Sequence, residues 1–343
     1  MTGRHASIFD VAARAGVSIS TVSRVLGDTA KVHPATRERV LEAVRDLRYV
    51  MSPHASVLAS GRTRTVGIIT PSLTAWYFAN VIGGAYDVLH AAGFDIQLHN
   101  LASRDARTRF FDRMSIDRRV DAVISVGLPD DAEYVAALRT LGLPLVVLGE
   151  RAPGVTSVAI DDVAAARSAV RHLAHQGHRN IAMLSDRGDG GGGWTTATLA
   201  RRQGYRQAVE EIDGPGVEHR VVESDPGVDG GDRAAMELVA GSGRPSAIFA
   251  EYDELAVGAL RALHRLGIHV PDQVSVIGLD DHVIAAGVEL TTIARPVQHE
   301  GALAARLVLD RLAGRAGEPV EVTVPTRLVI RGTTRPPPLR SVG

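Results

Sequence analysis

Residues 7–26 have the sequence SIFDVAARAGVSISTVSRVL, in which two short helical patterns flank a turn at Gly16. Ser7 and Asp10 have the spacing of a capping box, which predicts that the first helix begins directly after Ser7. Gly16 tolerates the positive φ of a tight turn, and Ser18 is a typical N-cap residue for a second helix. The stretch therefore predicts a helix-turn-helix.

The second predicted helix has one apolar face and several polar ones. Val22, Val25 and Leu26 are spaced to pack inward. The residues left on the outer faces are Ile19, Ser20, Thr21, Ser23 and Arg24. Short hydroxyl side chains suit phosphate contacts, and a single arginine suits bidentate recognition of guanine. A capped helical hairpin without a DNA-binding role has the same packing, so these features alone leave both interpretations open.

A third helix completes a small all-α head. Pro34 is suited to its first position, and the apolar spacing predicts that Val40, Leu41, Val44 and Leu47 are buried. Residues 1–62 contain nine lysines and arginines against five acidic residues, whereas the whole chain has a net charge of −1. A positive head on a negative body indicates that only the head binds a polyanion.

Length and composition indicate about two globular domains and exclude several classes of site. The chain has 343 residues, 45% of them hydrophobic, and no cysteine. Disulfides, thiolate zinc sites and cysteine nucleophiles are therefore excluded. Residues 188–193 satisfy a Gly-x-Gly-x-x-Gly pattern but lack the acidic residue that dinucleotide binding needs, so we interpret them as a loop and predict no cofactor. Without an apolar signal sequence or an apolar run of 18 residues, we expect a cytoplasmic protein.

From about residue 65 the pattern changes to alternating strands and helices. This alternation predicts parallel sheets in two similar lobes, with a ligand in the cleft between them. We expect a helix near 300–312, a strand near 321–324, and a loose tail from Arg335, where three prolines follow. The predicted strands before residue 150 are 65–70, 94–98, 122–126 and 145–148, and those after it are 180–184, 217–222, 247–250 and 274–277.

The nineteen residues from Ile8 to Leu26 resemble the signature of the lactose-repressor/galactose-repressor (LacI/GalR) family. The resemblance continues through residues 36–40, 47–49, 172–173, 177–182, 204–205, 267, 270–281 and 290–293. It implies a ligand-responsive transcriptional regulator, a repressor that binds a palindromic operator as a homodimer. The family's tetramers use a C-terminal heptad helix, and the proline-rich tail here has no such pattern, so we expect dimers rather than tetramers. The implied fold is a helix-turn-helix head and a hinge helix before a two-lobed, periplasmic-binding-protein-like α/β effector domain.

The domains expected from this resemblance follow the chain in order. The DNA-binding domain is 1–51, the hinge helix or linker is 52–62, the effector and dimerisation domain is 63–334, and the tail is 335–343. Within the effector domain, the N-lobe is about 63–160 plus 293–325 and the C-lobe is about 161–290.

The resemblance also assigns DNA-binding residues. Ser18 caps the reading helix, Ile19, Ser20 and Arg24 face bases, and Thr21 and Ser23 contact phosphates. Ile19 has no side-chain donor, so we expect Arg24 to dominate direct reading. In the hinge, Leu58 enters the minor groove with Ala55 beside it. Met51 stands where the family usually has proline, which shifts the expected start of the hinge.

For the effector, the resemblance indicates aromatic residues that stack on the ligand and polar residues that bind it. The expected set is Trp76, Tyr77, Phe78, Asp161, Arg201, Tyr252, Asp280 and Arg295. A sugar is the first expectation. A purine or nucleoside is the alternative, because the Tyr77-Phe78 pair is similar to that of the family's purine-responsive member. A solute-binding protein would need an export signal and no DNA-binding head. An enzyme would need a nucleophile–base pair or a metal site, and neither pattern is present.

Overall fold

The computed structural model describes residues 6–27, 32–49, 62–114, 119–127, 129, 132–188, 195–213, 220–241 and 243–338. The chain divides into two compact units, Met1–Thr65 with Arg118–Asp121, and Val66–Asp117 with Ala122–Gly343. We call them the head and the body. The predicted hinge, residues 52–62 with Ala55 and Leu58, lies outside the described residues except at its last position.

The described residues of the head form three short helices, as predicted. They are α1 (Ile8–Ala15), α2 (Ile19–Gly27) and α3 (Pro34–Asp46). The capping box is present, because the Ser7 backbone N–H donates to Asp10 Oδ2 at 2.8 Å while the Asp10 N–H donates to Ser7 Oγ. Gly16 ends α1 with a φ of 65°, the left-handed conformation that the turn requires.

The head core is formed by one face of each helix. The buried residues are Val11, Ala12, Ala15, Val22, Val25, Val40 and Ala43. Val44 and Leu47 pack against this core, but Leu41 is 38% exposed, so its predicted burial is wrong. Positions 40, 43, 44 and 47 share one helical face, whereas position 41 is rotated about 100° from position 40.

The body contains two six-stranded sheets. The first has the order β11-β5-β4-β3-β1-β2 and the second has the order β12-β10-β9-β8-β6-β7. In the first sheet the pairs β1–β3, β3–β4, β4–β5 and β5–β11 are parallel, and in the second only β12 is antiparallel to its neighbour. The strands are β1 (Thr65–Thr70), β2 (Asp95–Asn100), β3 (Ala122–Val126), β4 (Leu145–Leu148), β5 (Thr156–Ala159), β6 (Ile181–Asp186), β7 (Val221–Ser224), β8 (Ala247–Ala250), β9 (Ser275–Asp280), β10 (Thr291–Ala294), β11 (Glu321–Thr323) and β12 (Arg327–Val329).

Helices cover the sheets and define two lobes. Lobe 1 is the first sheet with α4 and α12, which pack on each other, and lobe 2 is the second sheet with α7 to α10. The largest buried apolar cluster has members on both sheets, among them Ile68 and Phe249. The body helices are α4 (Trp76–Ala91), α5 (Arg104–Met114), α6 (Ala132–Thr140), α7 (Asp162–His175), α8 (Thr196–Asp213), α9 (Gly227–Ala240), α10 (Asp253–Arg265), α11 (Val283–Gly287) and α12 (Val297–Leu312).

Three short strands were not predicted, namely β5, β10 and β12. Thr156 and Ser157 of β5 and Thr291 and Thr292 of β10 are polar yet buried, so no apolar run marks these strands. Their hydroxyls are largely satisfied by partners distant in sequence; Thr292 Oγ1, for example, donates to Asp253 at 2.7 Å. Such long-range hydrogen bonds make the burial of polar strand residues possible.

The chain passes between the lobes three times, after β5, after β10 and after β11. Within the predicted N-lobe segment 293–325, α12 and β11 lie in lobe 1. The first two residues of the segment, 293 and 294, are the last residues of β10 and lie in lobe 2, because β10 pairs with β9. Arg335, the first residue of the tail predicted to be loose, is held by a hydrogen bond, because its N–H donates to Ser275 Oγ at 3.1 Å.

Candidate functional site

Helix α2 presents the polar surface that the sequence predicts. Ser18, Ile19, Ser20 and Arg24 are exposed, and Thr21 and Ser23 are half-buried. Within the part of the head that the structure describes, Arg24 has no ion-pair partner, whereas Arg14 pairs with Asp46 at 2.7 Å.

The hydroxyls at the start of α2 form one small network. Ser18 Oγ lies 2.8 Å from Ser20 Oγ and 2.9 Å from Thr21 Oγ1, and it accepts a hydrogen bond from the Thr21 N–H. The network holds these groups at a helix N-terminus, where backbone N–H groups and the helix dipole favour an anion. A phosphate of a duplex suits this end of the helix.

The body contains a cavity of about 520 Å³ that both lobes line. This volume is within the range of small-molecule sites, about 300–1,000 Å³. Thr70, Val126, Asp186 and Asp280 are the last residues of their strands, so the cavity lies at the carboxyl ends of both sheets. Ligands of open α/β sheets bind at this edge. Six of the eight predicted effector residues line it: Tyr77, Phe78, Arg201, Tyr252, Asp280 and Arg295.

Tyr77 and Phe78 form an aromatic wall at the start of α4. Their ring centroids are 5.2 Å apart in an edge-to-face arrangement. Gly127 and Gly149 make room for them, because a Cβ at either position would lie 2.9 Å from Phe78 Cε1 or from the Tyr77 hydroxyl. Each of these glycines also has a positive φ, so a larger residue would be strained there.

Arg295 connects this wall to a buried carboxylate. Its guanidinium lies 4.5 Å from the centroid of the Tyr77 ring and donates to the Tyr77 hydroxyl at 3.2 Å. Arg295 also donates through Nε and Nη2 to the two carboxylate oxygens of Glu300, which is 0% exposed. The bidentate pair fixes the position of Arg295 at the cavity surface.

Arg201 is held by a second buried carboxylate. Its Nε donates to Asp162 Oδ1 at 2.7 Å and its Nη1 donates to the Glu251 carbonyl at 3.0 Å. Both side chains of the Arg201–Asp162 pair are at least nine-tenths buried. The remaining donors of Arg201 are oriented by these contacts.

Asp280 is a buried acid in a strained conformation. It is 6% exposed, its φ is 123°, and its Oδ1 has no hydrogen-bond partner within the described residues. Burial raises its pKa to about 7, against the lowering effect of Arg201 and Arg295. A strained, unsatisfied carboxylate at a cavity is typical of a ligand site rather than of a structural core.

Asp253 supports the loop that follows Asp280. Its Oδ2 accepts from the His282 N–H at 2.7 Å. This approach requires Gly278, since a Cβ there would lie 2.1 Å from Asp253 Oδ1. Burial raises the pKa of Asp253 to about 6. The loop conformation therefore depends on a carboxylate outside the cavity.

Two predicted effector residues lie elsewhere. The Trp76 ring packs against His282 with a centroid distance of 4.6 Å and does not line the cavity. Asp161 is exposed, and its side chain caps α7 by accepting from the Ala164 N–H at 2.9 Å. Its neighbour Asp162 is the buried partner of Arg201, so the β–α junction does supply an acid, one position later.

The sequence prediction missed several polar lining residues: Arg107, Tyr134, Glu150, Asp186, Glu251 and Glu254. Asp186 ends β6 and Glu251 directly follows β8, so their place at strand ends was a usable signal. Arg107 and Tyr134 lie inside helices and had no such signal.

Tyr252 uses its hydroxyl within the protein. The hydroxyl donates to Asp186 Oδ2 at 3.1 Å and accepts from the Gly227 N–H at 3.3 Å. Burial raises its pKa well above the usual value. Tyr252 therefore offers a ligand its ring more than its hydroxyl.

Asp280→Asn is expected to change how stability depends on pH. Between its ordinary pKa of 3.8 and its folded value of about 7, Asp280 is protonated in the folded chain and ionised in the unfolded one. Its contribution to stability therefore falls as pH rises through this window. In urea unfolding, the free energy of unfolding of the variant minus that of the wild type should be at least about 1 kcal/mol larger at pH 8 than at pH 5. This difference corresponds to about one pKa unit.

The groups facing Asp280 are Arg201, Arg295, Asp253 and Glu300, and they are unchanged in this comparison. Asp161→Asn, which replaces an exposed carboxylate, serves as the control. An equal difference between Asp280→Asn and wild type at pH 5 and pH 8 would contradict the prediction.

In the described ranges, no helix is both long and apolar enough to span a bilayer. The same ranges contain no group of three or more histidine, aspartate or glutamate residues placed to hold a metal ion.

Comparisons with known proteins agree on both parts of the chain. Residues 7–52 match the family described as bacterial regulatory proteins, lacI family, and residues 170–334 match a periplasmic binding protein-like domain. The HTH-type transcriptional regulator DegA of Bacillus subtilis (strain 168) is 30% identical over 338 residues, which cover 96% of this chain and 98% of DegA.

Two solved structures are similar over nearly the whole chain. A transcriptional regulator CelR–cellobiose complex is 31% identical with a TM-score of 0.71, covering 96% of this chain and 99% of CelR. A lac repressor dimer bound to operator and an anti-inducer has a TM-score of 0.83 at 24% identity, covering 97% and 100%. The second likeness is one of fold.

Proposed function

Because the chain belongs to the lacI family of bacterial regulatory proteins and is a transcriptional regulator, we propose that it is a repressor whose operator affinity is controlled by a small molecule in the cavity. The observation that carries the proposal is the cavity itself, which gathers six of the predicted effector residues at the carboxyl ends of both sheets. We expect no enzymatic activity, and we expect the protein to act in the cytoplasm, where its DNA is.

The proposed DNA-reading surface is the outer face of α2. Arg24 reads a guanine, Ile19 presses on a thymine methyl, and Ser20 faces the base edges, while Thr21 and Ser23 contact phosphates. Exposure of Ile19, 39% in the free chain, supports its role as an apolar contact.

We further propose that the protein binds a palindromic operator as a homodimer. One helix-turn-helix covers a single half-site, which provides too little contact for specificity, and two heads match a two-fold symmetric site. A relative of the same fold was solved as a dimer on its operator. Sedimentation at micromolar concentration is expected to show a dimer; a monomer or a stable tetramer would contradict this.

The hinge is proposed as the element that couples ligand to DNA. Its sequence, with Pro53 and Gly61 at its ends, suits one short helix of about nine residues. Such a helix is too short to be stable alone and can fold against a bent duplex, with Leu58 in the minor groove beside Ala55. Ligand closure of the cavity then changes the order of the hinge.

A sugar or sugar derivative is the proposed effector. Aromatic walls beside arginine and aspartate suit hydroxyl-bearing rings. A relative 31% identical to this chain was solved with cellobiose. A purine or nucleoside is the alternative, supported by the Tyr77-Phe78 pair. A solute-binding protein of transport shares the two-lobed body but has no use for the exposed arginine of α2.

Operator selection tests the proposal directly. The purified full chain should enrich a palindrome from random duplexes, and a thermal-shift screen of sugars, nucleosides and purines should identify compounds that change the affinity for it. Binding no tighter to any selected palindrome than to bulk duplex, with and without these compounds, would refute the proposal.

Arg201→Ala and Asp280→Ala are expected to weaken the response to such a compound at least about tenfold, because each removes a charged hydrogen-bonding group from the cavity. Folding is checked by circular dichroism, since the first change leaves Asp162 without its arginine. Asp161→Asn keeps the α7 cap and lies outside the cavity, so it should respond like the wild type. An unchanged response in the two cavity variants would place the effector site elsewhere.

A further inference from the structure

The cavity carries an excess of carboxylates over guanidinium groups. Among the residues that the structure describes, three lining residues are arginines: Arg107, Arg201 and Arg295. Five described lining residues are acidic: Glu150, Asp186, Glu251, Glu254 and Asp280. A ligand that enters therefore meets more negative than positive side chains before any pairing is considered.

Two of the three arginines are already paired with carboxylates that do not line the cavity. Arg201 pairs with Asp162 at 2.7 Å, and Arg295 makes two hydrogen bonds to Glu300. Neither Asp162 nor Glu300 lines the cavity, so these acids add to the negative charge around it. Little positive charge remains for an anionic ligand, and most of it resides on Arg107.

Two of the lining carboxylates keep acceptor capacity for a ligand. Asp280 Oδ1 is buried without a hydrogen-bond partner and lies 3.9 Å from Arg295 Nη1, too far for a hydrogen bond. The Glu254 carboxylate is half-buried and makes no hydrogen bond within the described ranges. Burial raises the pKa of both side chains, so a positive charge beside them would favour their ionised forms.

Two of the other three lining acids, Asp186 and Glu251, are used internally. Asp186 accepts from the Tyr252 hydroxyl and from the Gly188 N–H, and Glu251 Oε2 accepts from Ser185 Oγ and from the Asp186 N–H. Asp186 and Glu251 hold the cavity wall in place and contribute negative charge, but they already accept hydrogen bonds within the protein.

The aromatic residues that line the cavity also favour a positively charged ligand. Tyr77, Phe78, Tyr134 and Tyr252 all contribute to the cavity surface. The face of an aromatic ring is negative and attracts a cation, while it disfavours an anion. Rings and carboxylates together form an environment suited to an amine.

We propose that the cavity selects its effector by charge, binding an amine-bearing sugar derivative in preference to the neutral sugar and rejecting the phosphorylated and carboxylated forms. This inference rests on the proposed function, because it takes the cavity to be the effector site. Asp280 and Glu254 are the acceptors for the amine and for neighbouring hydroxyls.

A matched ligand series tests this selection on the full-length protein. Each sugar is supplied in four forms, namely neutral, amine, phosphate and carboxylate; for glucose these are glucose, glucosamine, glucose 6-phosphate and glucuronate. The same four forms of cellobiose and of other sugars are included where they can be made. Affinity is measured by thermal shift and calorimetry at pH 7.5. In at least one scaffold the amine should bind tightest, with the phosphate and the carboxylate at least tenfold weaker than the neutral sugar.

Glu254→Gln should reduce the preference of the amine over the neutral sugar at least threefold. Glu318→Gln, an exposed acid outside the cavity, should leave it unchanged. Tighter binding of any phosphate or carboxylate form, equal binding of all forms, or a panel without a binder would each overturn the inference. Operator binding by the same preparation shows separately whether the proposed regulator function has failed.

Discussion

Glu300→Ala is expected to lower the free energy of unfolding of the body by about 3–5 kcal/mol, because it leaves a buried guanidinium without its counter-charge. Glu300 is 0% exposed and Arg295 7%, and the two make a bidentate contact. Asp280 cannot replace the lost partner without movement, since its Oδ1 lies 3.9 Å from Arg295 Nη1. Urea unfolding followed by circular dichroism measures the loss.

A surface ion pair between Asp310, on the same helix, and Arg315, just beyond its C-terminal end, provides the control for this prediction. Asp310 Oδ1 lies 2.7 Å from Arg315 Nη2, and the side chains of Asp310 and Arg315 are 47% and 65% exposed. Because exposed pairs contribute about 0–1 kcal/mol, Asp310→Ala should change stability very little. Comparable losses in Glu300→Ala and Asp310→Ala would show that the buried pair has no special role.

Arg24→Ala should weaken binding to the selected operator by about 1–3 kcal/mol, roughly 5- to 150-fold, because a bidentate contact to a base edge is lost. The preference at one base pair of each half-site should relax with it. Electrophoretic mobility shifts on the operator, on operators altered at single positions and on random duplex separate these effects.

Arg39→Ala is the matched control in the head, since Arg39 is exposed and belongs to α3 rather than to α2. It removes the same charge, so at most it should weaken operator and random DNA alike. An equal loss on both kinds of DNA in Arg24→Ala would instead identify Arg24 as a phosphate contact.

Local sequence signals predicted much of the fold. The capping box, Gly16 and the apolar spacing of α2 act within a few residues, and the structure has the head helices where these signals place them. Four strands, β1, β3, β4 and β8, have the predicted bounds because each is a short, mostly apolar run. Strands β5, β10 and β12 were not predicted. The buried strands β5 and β10 lacked that signal because they contain polar residues whose burial depends on hydrogen bonds to other parts of the chain.

The candidate site was predicted less completely. Tyr77 and Arg201 are placed on the cavity, but Trp76, one residue from Tyr77, turns to His282 instead. Asp161 was predicted to bind the effector, but its side chain caps α7, and the buried partner of Arg201 is its neighbour Asp162. The side chains of such neighbouring residues point in different directions, and a sequence pattern does not specify these directions.

The amino-acid sequence alone determined the order of the parts: a helix-turn-helix with an arginine on the outer face of its second helix, followed by an alternating strand–helix body whose strand ends meet at a cleft. Only the tertiary structure decided the charge of the cavity at those strand ends. Arg201 and Asp162 are 39 positions apart and Tyr252 and Asp186 are 66 apart. Folding alone brings them together, and the pairs that form decide which charges remain for a ligand.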